Sequence, residues 1–298
     1  MASVMNKNLT KLPKVSVIIA TKNESLNIKR ILNNLLLQTY TNVEIIVVDN
    51  GSTDNTLSIA KSFLKKENVF HLPDYIDLSK VKNYRGAQVN FGVLNCLGEI
   101  IFFPDADMTF DNNLISEAVE KIKKFHALYV PEIVRGKGIF GKVRNFERGF
   151  YNSTVIDAVR FVRKESFDLI GGFDELNIPF GPDDWDLTKS LKIKKFDLGI
   201  TSFGLYHHEE QLSLRAYLTK KKNYIATFDD YILKWGPSDS DIKKQFSWKY
   251  RLFGVFFENY KWTKALLRLD LLLILLTFKI YIGLIFYFKK IKFKSYIN

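Results

Sequence analysis

A chain of 298 residues with 47% hydrophobic and 26% charged side chains can bury enough apolar surface to offset its ordering entropy, which excludes disorder as the main state. A single cysteine, Cys96, excludes an intramolecular disulfide and any cysteine-rich zinc site. The 44 Lys and Arg against 32 Asp and Glu leave a formal charge of +12, so anionic partners are expected among nucleic acid, phosphorylated small molecules and anionic lipid.

Met1 to Lys14 has no apolar run ahead of the first strand-like segment, so no secretory leader is expected. From Lys14 to about Gly204 the pattern alternates between strand and helix. Val15 to Ala20 and Val43 to Val48 are β-branched runs with the near-continuous apolar character of strands buried on two faces. Between them Ile28, Ile31, Leu32, Leu35 and Leu36 recur at helical spacing, with Ser25 or Asn27 as N-cap. This predicts a right-handed β-α-β unit. A polar turn, Asp49 to Asp54, leads into a helix from about Asn55 to Lys65. A third buried strand, Ile100 to Phe103, stops at Pro104-Asp105-Ala106-Asp107.

Each apolar strand thus ends in polar residues. In an open α/β sheet, ligands bind beyond the carboxyl ends of the strands. Thr21, Asn23, Glu24, Asp49, Asp54, Asp105 and Asp107 are therefore expected around one crevice. Asp105 and Asp107 form an oxygen donor set suited to Mg²⁺ or Mn²⁺, or else a solvated acidic turn. A second acidic cluster, Asp183-Asp184-Trp185-Asp186, opens a helix. Acids at a helix start are favoured by the macrodipole alone. A desolvated aspartate beside Trp185 would equally serve as a general base.

From about Tyr231 the chain turns aromatic and lysine-rich. Leu266 to Phe288 is almost wholly apolar, broken by Arg268, Asp270 and Lys279, and is followed by Lys289, Lys290, Lys292 and Lys294. A charge at Lys279 sits badly in the middle of a membrane span. An interfacial or re-entrant helical segment is the favoured reading, with aromatics at headgroup level and lysines on anionic lipid. A helix hairpin packed on the rest of the protein, or on another subunit, is the alternative. The charge clusters around greasy segments rather than along a polar groove, so no nucleic acid partner is expected.

Val15–Glu24 (VSVIIATKNE), Val47–Thr56 (VVDNGSTDNT), Phe102–Met108 (FFPDADM) and Gly171–Leu187 (GGFDELNIPFGPDDWDL) resemble the family 2 glycosyltransferases of GT-A fold. The similarity runs from about Lys14 to Gly236. Tyr206-His207-His208-Glu209, Lys221 and Tyr224 extend it toward a subgroup acting on cell-surface or lipid-linked glycans. The resemblance implies an α/β, Rossmann-like nucleotide-diphospho-sugar transferase domain over residues 1–236. Residues 237–298 would then form a C-terminal amphipathic or hydrophobic helical segment.

It also implies roles. Asp49 would contact the nucleotide base, with Thr21 and Glu24 in the same pocket. Asp107 would hold the divalent metal on the diphosphate, Asp105 would reach the ribose or a metal-bound water, and His207 would complete the metal site. Asp184 would be the general base, with Asp183 beside it in place of the family's usual Glu. The family's usual diphosphate-facing Arg falls at Val89; Arg85, close in sequence, is a candidate to take its place, with Asn90 and Lys221 also on the donor side. The implied function is metal-dependent, inverting transfer from a UDP- or GDP-sugar to a glycan hydroxyl at the cytoplasmic face of a membrane. A polyprenyl-phosphate sugar synthase and a non-catalytic nucleotide-sugar or glycan-binding protein are the alternatives.

Overall fold

The computed structural model describes residues 12–294. The reading of the first 11 residues as leaderless, and the side chains of Lys289, Lys290, Lys292 and Lys294, lie outside the described residues.

The first β-α-β unit is β1 (Val15–Thr21), α1 (Ser25–Leu36) and β2 (Val43–Asp49). It is followed by α2 (Thr56–Phe63), β3 (Val69–His71), α3 (Tyr84–Leu94), β4 (Ile100–Phe102) and β5 (Met108–Phe110). Then come α4 (Leu114–Ile122), β6 (Ala127–Tyr129), β7 (Glu132–Arg135), α5 (Gly138–Arg148), β8 (Val159–Arg163) and α6 (Lys164–Leu169). The catalytic-side elements close with α7 (Asp183–Ile193), β9 (Leu198–Ile200), β10 (Leu205–His208) and α8 (Leu214–Trp235). The remainder is helical: α9 (Ser240–Gln245), α10 (Val255–Phe257), α11 (Trp262–Leu266) and α12 (Leu269–Lys294).

Seven strands form a mixed sheet in the order β3-β2-β1-β4-β8-β6-β9, and a smaller sheet runs β5-β10-β7. β1 to β4 are mutually parallel, and β8 runs antiparallel to both neighbours. The side-chain period of two on β1 explains its unbroken apolar run. Val15, Val17 and Ile19 face Ile28, Ile31 and Leu32 of α1. Ile18 faces the opposite core, with Ala87, Val89 and Val93 of α3. Helix α1 starts at Ser25 but uses neither predicted side-chain cap. The Asp54 carboxylate instead accepts from Ser25 N at 3.1 Å, a long-range cap that spacing within the helix does not reveal.

Of the amphipathic or hydrophobic helical segment expected at the C-terminus, α12 has the hydrophobic form. Apolar residues lie all round α12 rather than in a stripe. Among the described residues no helix is long and apolar enough to cross a membrane. Leu271 and Leu275 of α12 join a core with Val143, Phe150, Tyr250 and Phe256, so the segment packs on the α/β body from its first turns. The expected boundary at residue 236 is also bridged: Lys189 Nζ pairs with Asp239 at 2.7 Å, and Gln245 donates to Val155 O at 2.6 Å.

Lys279 belongs to this junction. Its side chain, 7% exposed, donates to Arg251 O at 2.8 Å and Tyr151 Oη at 3.2 Å, and lies 3.8 Å from Glu147. Burial lowers its pKa from 10.5 to about 8, against the pull of Glu147. The unfolded chain therefore binds this proton more tightly. The penalty on the folded state is full below about pH 8 and relieved as pH rises toward 10.5. We expect urea denaturation to show stability rising over this window in the wild type relative to Lys279→Met, with a limiting difference in slope of about 1.4 kcal/mol per pH unit. Parallel pH profiles would contradict a strained, buried Lys279.

Candidate active site

The sheet brings three strand ends together. The β1/β2 register sets Thr21 beside Asp49, and Ala20 bridges to Asp105 just past β4. Gln88 of α3 ties two of these ends, donating Nε2 to Thr21 O at 2.8 Å and to Val48 O at 2.6 Å. Thr21, Glu24 and Asn50 line the resulting crevice. Burial raises the Glu24 pKa, partly countered by its bond from Asn27, and Asp107 and Asp105 add repulsion.

Two acids expected there are spent on structure. Asp49 is fully buried and accepts from Thr21 Oγ1 at 3.1 Å, from Ser52 N at 2.8 Å and from Ser52 Oγ. Asp54 accepts from Thr56 and Ser25, bonds that lower its pKa to about 2. In place of Asp49 the crevice presents Asn50, whose buried Oδ1 has no protein partner.

The small sheet positions the next group. β10 pairs with both β5 and β7, setting His207 opposite Met108 and Val134. His207 Nε2 then lies 3.0 Å from Asp107 Oδ2, and Nδ1 lies 3.0 Å from Glu132 Oε1. Burial opposes a charged imidazole, but the hydrogen bonds to the two carboxylates outweigh it and raise the pKa to about 10. Glu132 pairs in turn with Arg148 at 2.9 Å, and Arg148 with Asp157 at 2.8 Å. The other oxygen, Asp107 Oδ1, is buried without a partner.

A second charged group binds the remaining acids. Arg85, at the start of α3, donates Nε to Asp105 at 2.8 Å and Nη1 to Asp184 at 2.9 Å and to Asp183 at 3.3 Å. Arg160 of β8 stands 3.4 Å from Asp105 Oδ2 and 3.6 Å from Asp184 Oδ2. Burial favours a neutral Asp105, but Arg85 and Arg160 more than reverse this and hold its pKa well below the usual carboxylate range. Asp183 is 3% exposed and accepts from Asn83 Nδ2 and Gly181 N. Burial and then the adjacent Asp184 push its pKa up. Asp183 is a strut of the turn, and Asp184, 23% exposed at its side chain, is the acid presented to the cavity.

The sequence left open whether Arg85 takes the place of a basic residue at Val89. Val89 is 1% exposed within the α3 core, while Arg85, one turn earlier, reaches the site. Asn90 does not face the crevice. Its amide donates to Phe173 O and Glu175 and accepts from Phe173 N, fixing the loop whose Gly172 adopts φ +70 with no room for a Cβ against Asn90 Oδ1. Lys221 of α8 lines the cavity, but its electrostatic neighbours are Arg144, Glu147 and Arg251 rather than Asp105 or Asp107. Arg85, Arg160, Asp105, Asp107, Asp184, His207 and Lys221 line one cavity of about 1360 Å³ that runs on to α12.

The sequence model described as Glycosyl transferase family 2 matches residues 16–173, more than half of the chain. The protein belongs to glycosyl transferase family 2. An uncharacterized glycosyltransferase of Nostoc sp. is 32% identical over 108 residues, covering 36% of this chain and 32% of that protein. The matched regions span only 16% to 35% of the first curated relatives' own length. The mannosyltransferase PcManGT from Pyrobaculum calidifontis, solved with GDP-Man and Mn²⁺, superposes with a TM-score of 0.62 over 95% of this chain and 88% of that one, at 17% identity. Residues 1–349 of S. aureus TarS, solved with UDP, superpose at 0.51 over 92% and 89%, at 18% identity. At such identities the likeness is one of fold, which is the GT-A type.

Among the described residues no three of His, Cys, Asp and Glu form a finished cage for an ion. Asp107 nonetheless fits a hard cation. Its Oδ1 has no partner and its Oδ2 shares a proton position with His207 Nε2. Mg²⁺-like ions are commonly held by one or two carboxylates plus substrate phosphates and water.

The sequence carries no signal for Asn50 or for Glu132 as the partner of His207. Neighbours across a sheet leave no spacing signal. Two outcomes test the geometry. Arg85→Met strands three acids in a buried site and should cost about 3–5 kcal/mol in urea denaturation; a loss under about 1 kcal/mol would mean the pairs are solvated. In the metal-free protein, NMR titration should find His207 still protonated at pH 9, with Glu132→Gln lowering the midpoint.

Proposed function

We propose that this chain is a metal-dependent, inverting glycosyltransferase that moves a hexose from a UDP- or GDP-sugar to a hydroxyl of a glycan, either lipid-linked or on a cell surface. The observation that carries this reading is the Arg85–Arg160 clamp. It holds Asp105 and Asp184, both lining one cavity, within reach of the same two guanidinium groups.

The nucleotide would enter over Thr21 and Asn50, where the unpaired Asn50 amide oxygen faces its base or ribose. The diphosphate would lie against Arg85 Nη2, a buried nitrogen without a hydrogen-bond partner, and Arg160 Nη1, which makes only the looser ion-pair contacts at 3.4 and 3.6 Å. Asp107 and His207 would hold a Mn²⁺ or Mg²⁺ ion there, the imidazole giving up its Nε2 proton. When bound, that ion supplies Lewis-acid stabilisation of the departing diphosphate. GDP-Man with Mn²⁺ in PcManGT and UDP in TarS occupy proteins of this fold, which supports a nucleotide-sugar donor here.

Asp184 accepts the acceptor's proton. Its Oδ1 is taken by Arg85, while Oδ2 makes only a 3.6 Å contact with Arg160 and is the oxygen available to a hydroxyl. The acceptor oxygen attacks the anomeric carbon as the nucleotide diphosphate leaves from the opposite face, which inverts the centre. We place the enzyme at the cytoplasmic face of a membrane as a peripheral protein, its contact surface formed by exposed Trp248, Tyr260 and Leu273.

A thermal-shift screen of nucleotide-sugars should give a shift with one donor that needs Mn²⁺ and disappears in Asp107→Asn. Asp184→Asn should keep that shift while turnover falls about 10²- to 10⁴-fold. Near-wild-type turnover of Asp184→Asn would remove it as the base, and a donor shift indifferent to Mn²⁺ would remove the metal.

A further inference from the structure

The cavity extends well past the donor crevice. Its volume of about 1360 Å³ exceeds the roughly 300–1,000 Å³ of a site for one small ligand. Beyond Asp184 the wall turns aromatic at Trp185, Tyr224 and Phe228, and it ends on Ile280, Leu284 and Tyr287 of α12.

Between these walls lies a cluster of cations. Arg144 is fully paired, with Glu147 at 2.8 Å and with Glu209 at 3.0 Å. Lys279 sits beside Glu147. Lys221 and Arg251 also line the cavity, and among the described residues neither has a carboxylate within ion-pair distance. The Lys221 ammonium lies 5.3 Å from the Tyr217 ring centre and 5.9 Å from that of Tyr224. Arg251 spends its Nε on Gln245 O at 2.7 Å and stacks its guanidinium 5.4 Å from the Trp185 ring. Burial and then repulsion from Arg144 bring the Lys221 pKa down to about 7. Lys221 and Arg251 are part-exposed, and Glu147, already paired with Arg144, is the counter-charge acting on Lys221; ring faces offset only part of the cost of holding these cations together.

We propose that Lys221 and Arg251 form a second anion subsite, distinct from the donor diphosphate site, that holds the phosphate of an acceptor built as sugar, phosphate and aliphatic chain. This deepens the transferase reading and rests on it. Tyr224 lies beside Lys221 and Trp185 beside Arg251, and both rings line the same cavity as Asp184. A sugar ring stacked there has its phosphate at Lys221 and Arg251 and a hydroxyl at Asp184. The chain then leaves along Ile280 and Leu284, which are about half exposed at 51% and 49%, and so reaches the surface beside other apolar residues of α12.

The test uses the full chain and three probes: dodecyl phosphate below its micelle concentration, dodecanol and inorganic phosphate. Binding is read by calorimetry or by Trp fluorescence, with UDP and GDP plus Mn²⁺ measured in parallel. Dodecyl phosphate should bind at least tenfold more tightly than either of the other probes. Lys221→Met and Arg251→Met should each weaken it about tenfold, leaving nucleotide binding unchanged, and Lys221→Arg should restore it. Equal binding of dodecanol and dodecyl phosphate would reduce the site to a greasy surface and overturn the proposal. So would variants that lose nucleotide but keep dodecyl phosphate, since the cations would then serve the donor. Failure of UDP and GDP to bind with Mn²⁺ strikes the transferase reading itself and takes the acceptor assignment with it.

Discussion

The arrangement of Arg85 and Arg160 among Asp105, Asp183 and Asp184 is the constraint on which the rest of the site depends. Five ionised groups in a partly dry space are tolerable only with close pairing, and each arginine touches acids from different parts of the chain. α3 must start where it does for Arg85 to reach. α7 must open on Asp183 and Asp184, and β8 must run antiparallel between β4 and β6 to bring Arg160 in. The clamp therefore couples chemistry to topology: a shift in any of these elements unpairs a buried charge.

The second polar chain does similar work on the small sheet. Asp107, His207, Glu132, Arg148 and Asp157 link β5, β10, β7 and α5 in one alternating series of charges. Glu132 and Arg148 fix which way the imidazole points, and with Nε2 on Asp107 Oδ2 the other oxygen of Asp107 is left without a partner. The two networks share no residue, and they present opposite needs: one leaves a carboxylate oxygen unmet and the other leaves guanidinium nitrogens unmet. A diphosphate with its cation answers both.

Much of this was legible in the sequence where the signal is local. The buried strands β1, β2 and β4 announce themselves by near-continuous apolar runs, and the crevice at their carboxyl ends follows from the open parallel sheet. Asp105, Asp107, Asp184 and His207, which the motifs single out, all line one cavity. Other side chains that the motifs single out are engaged within the protein itself. Asp49 and Asp54 look like ligand-binding acids until the β1/β2 register shows their oxygens consumed by Thr21, Ser52, Ser25 and Thr56. Asn90 looks like part of a phosphate motif, but its amide is spent on the Phe173 backbone. A residue type shows what a side chain can bond, whereas only the fold shows what it has already bonded. The C-terminal helix follows the same logic. Its run of apolar residues reads as a membrane element, while Leu271, Leu275 and Lys279 find partners on the α/β body that no hydropathy window contains.

That last feature has a practical side. Because α12 supplies part of the cavity wall as well as a cover for Val143, Phe150 and Phe256, a shortened version ending before Leu269 would lose more than an attachment. It would uncover a greasy patch, strand Glu147 without its lysine and leave the far end of the cavity without a floor. Such a fragment is expected to be sticky and poorly behaved during purification, and trimming the tail is therefore a poor first route to a tractable sample.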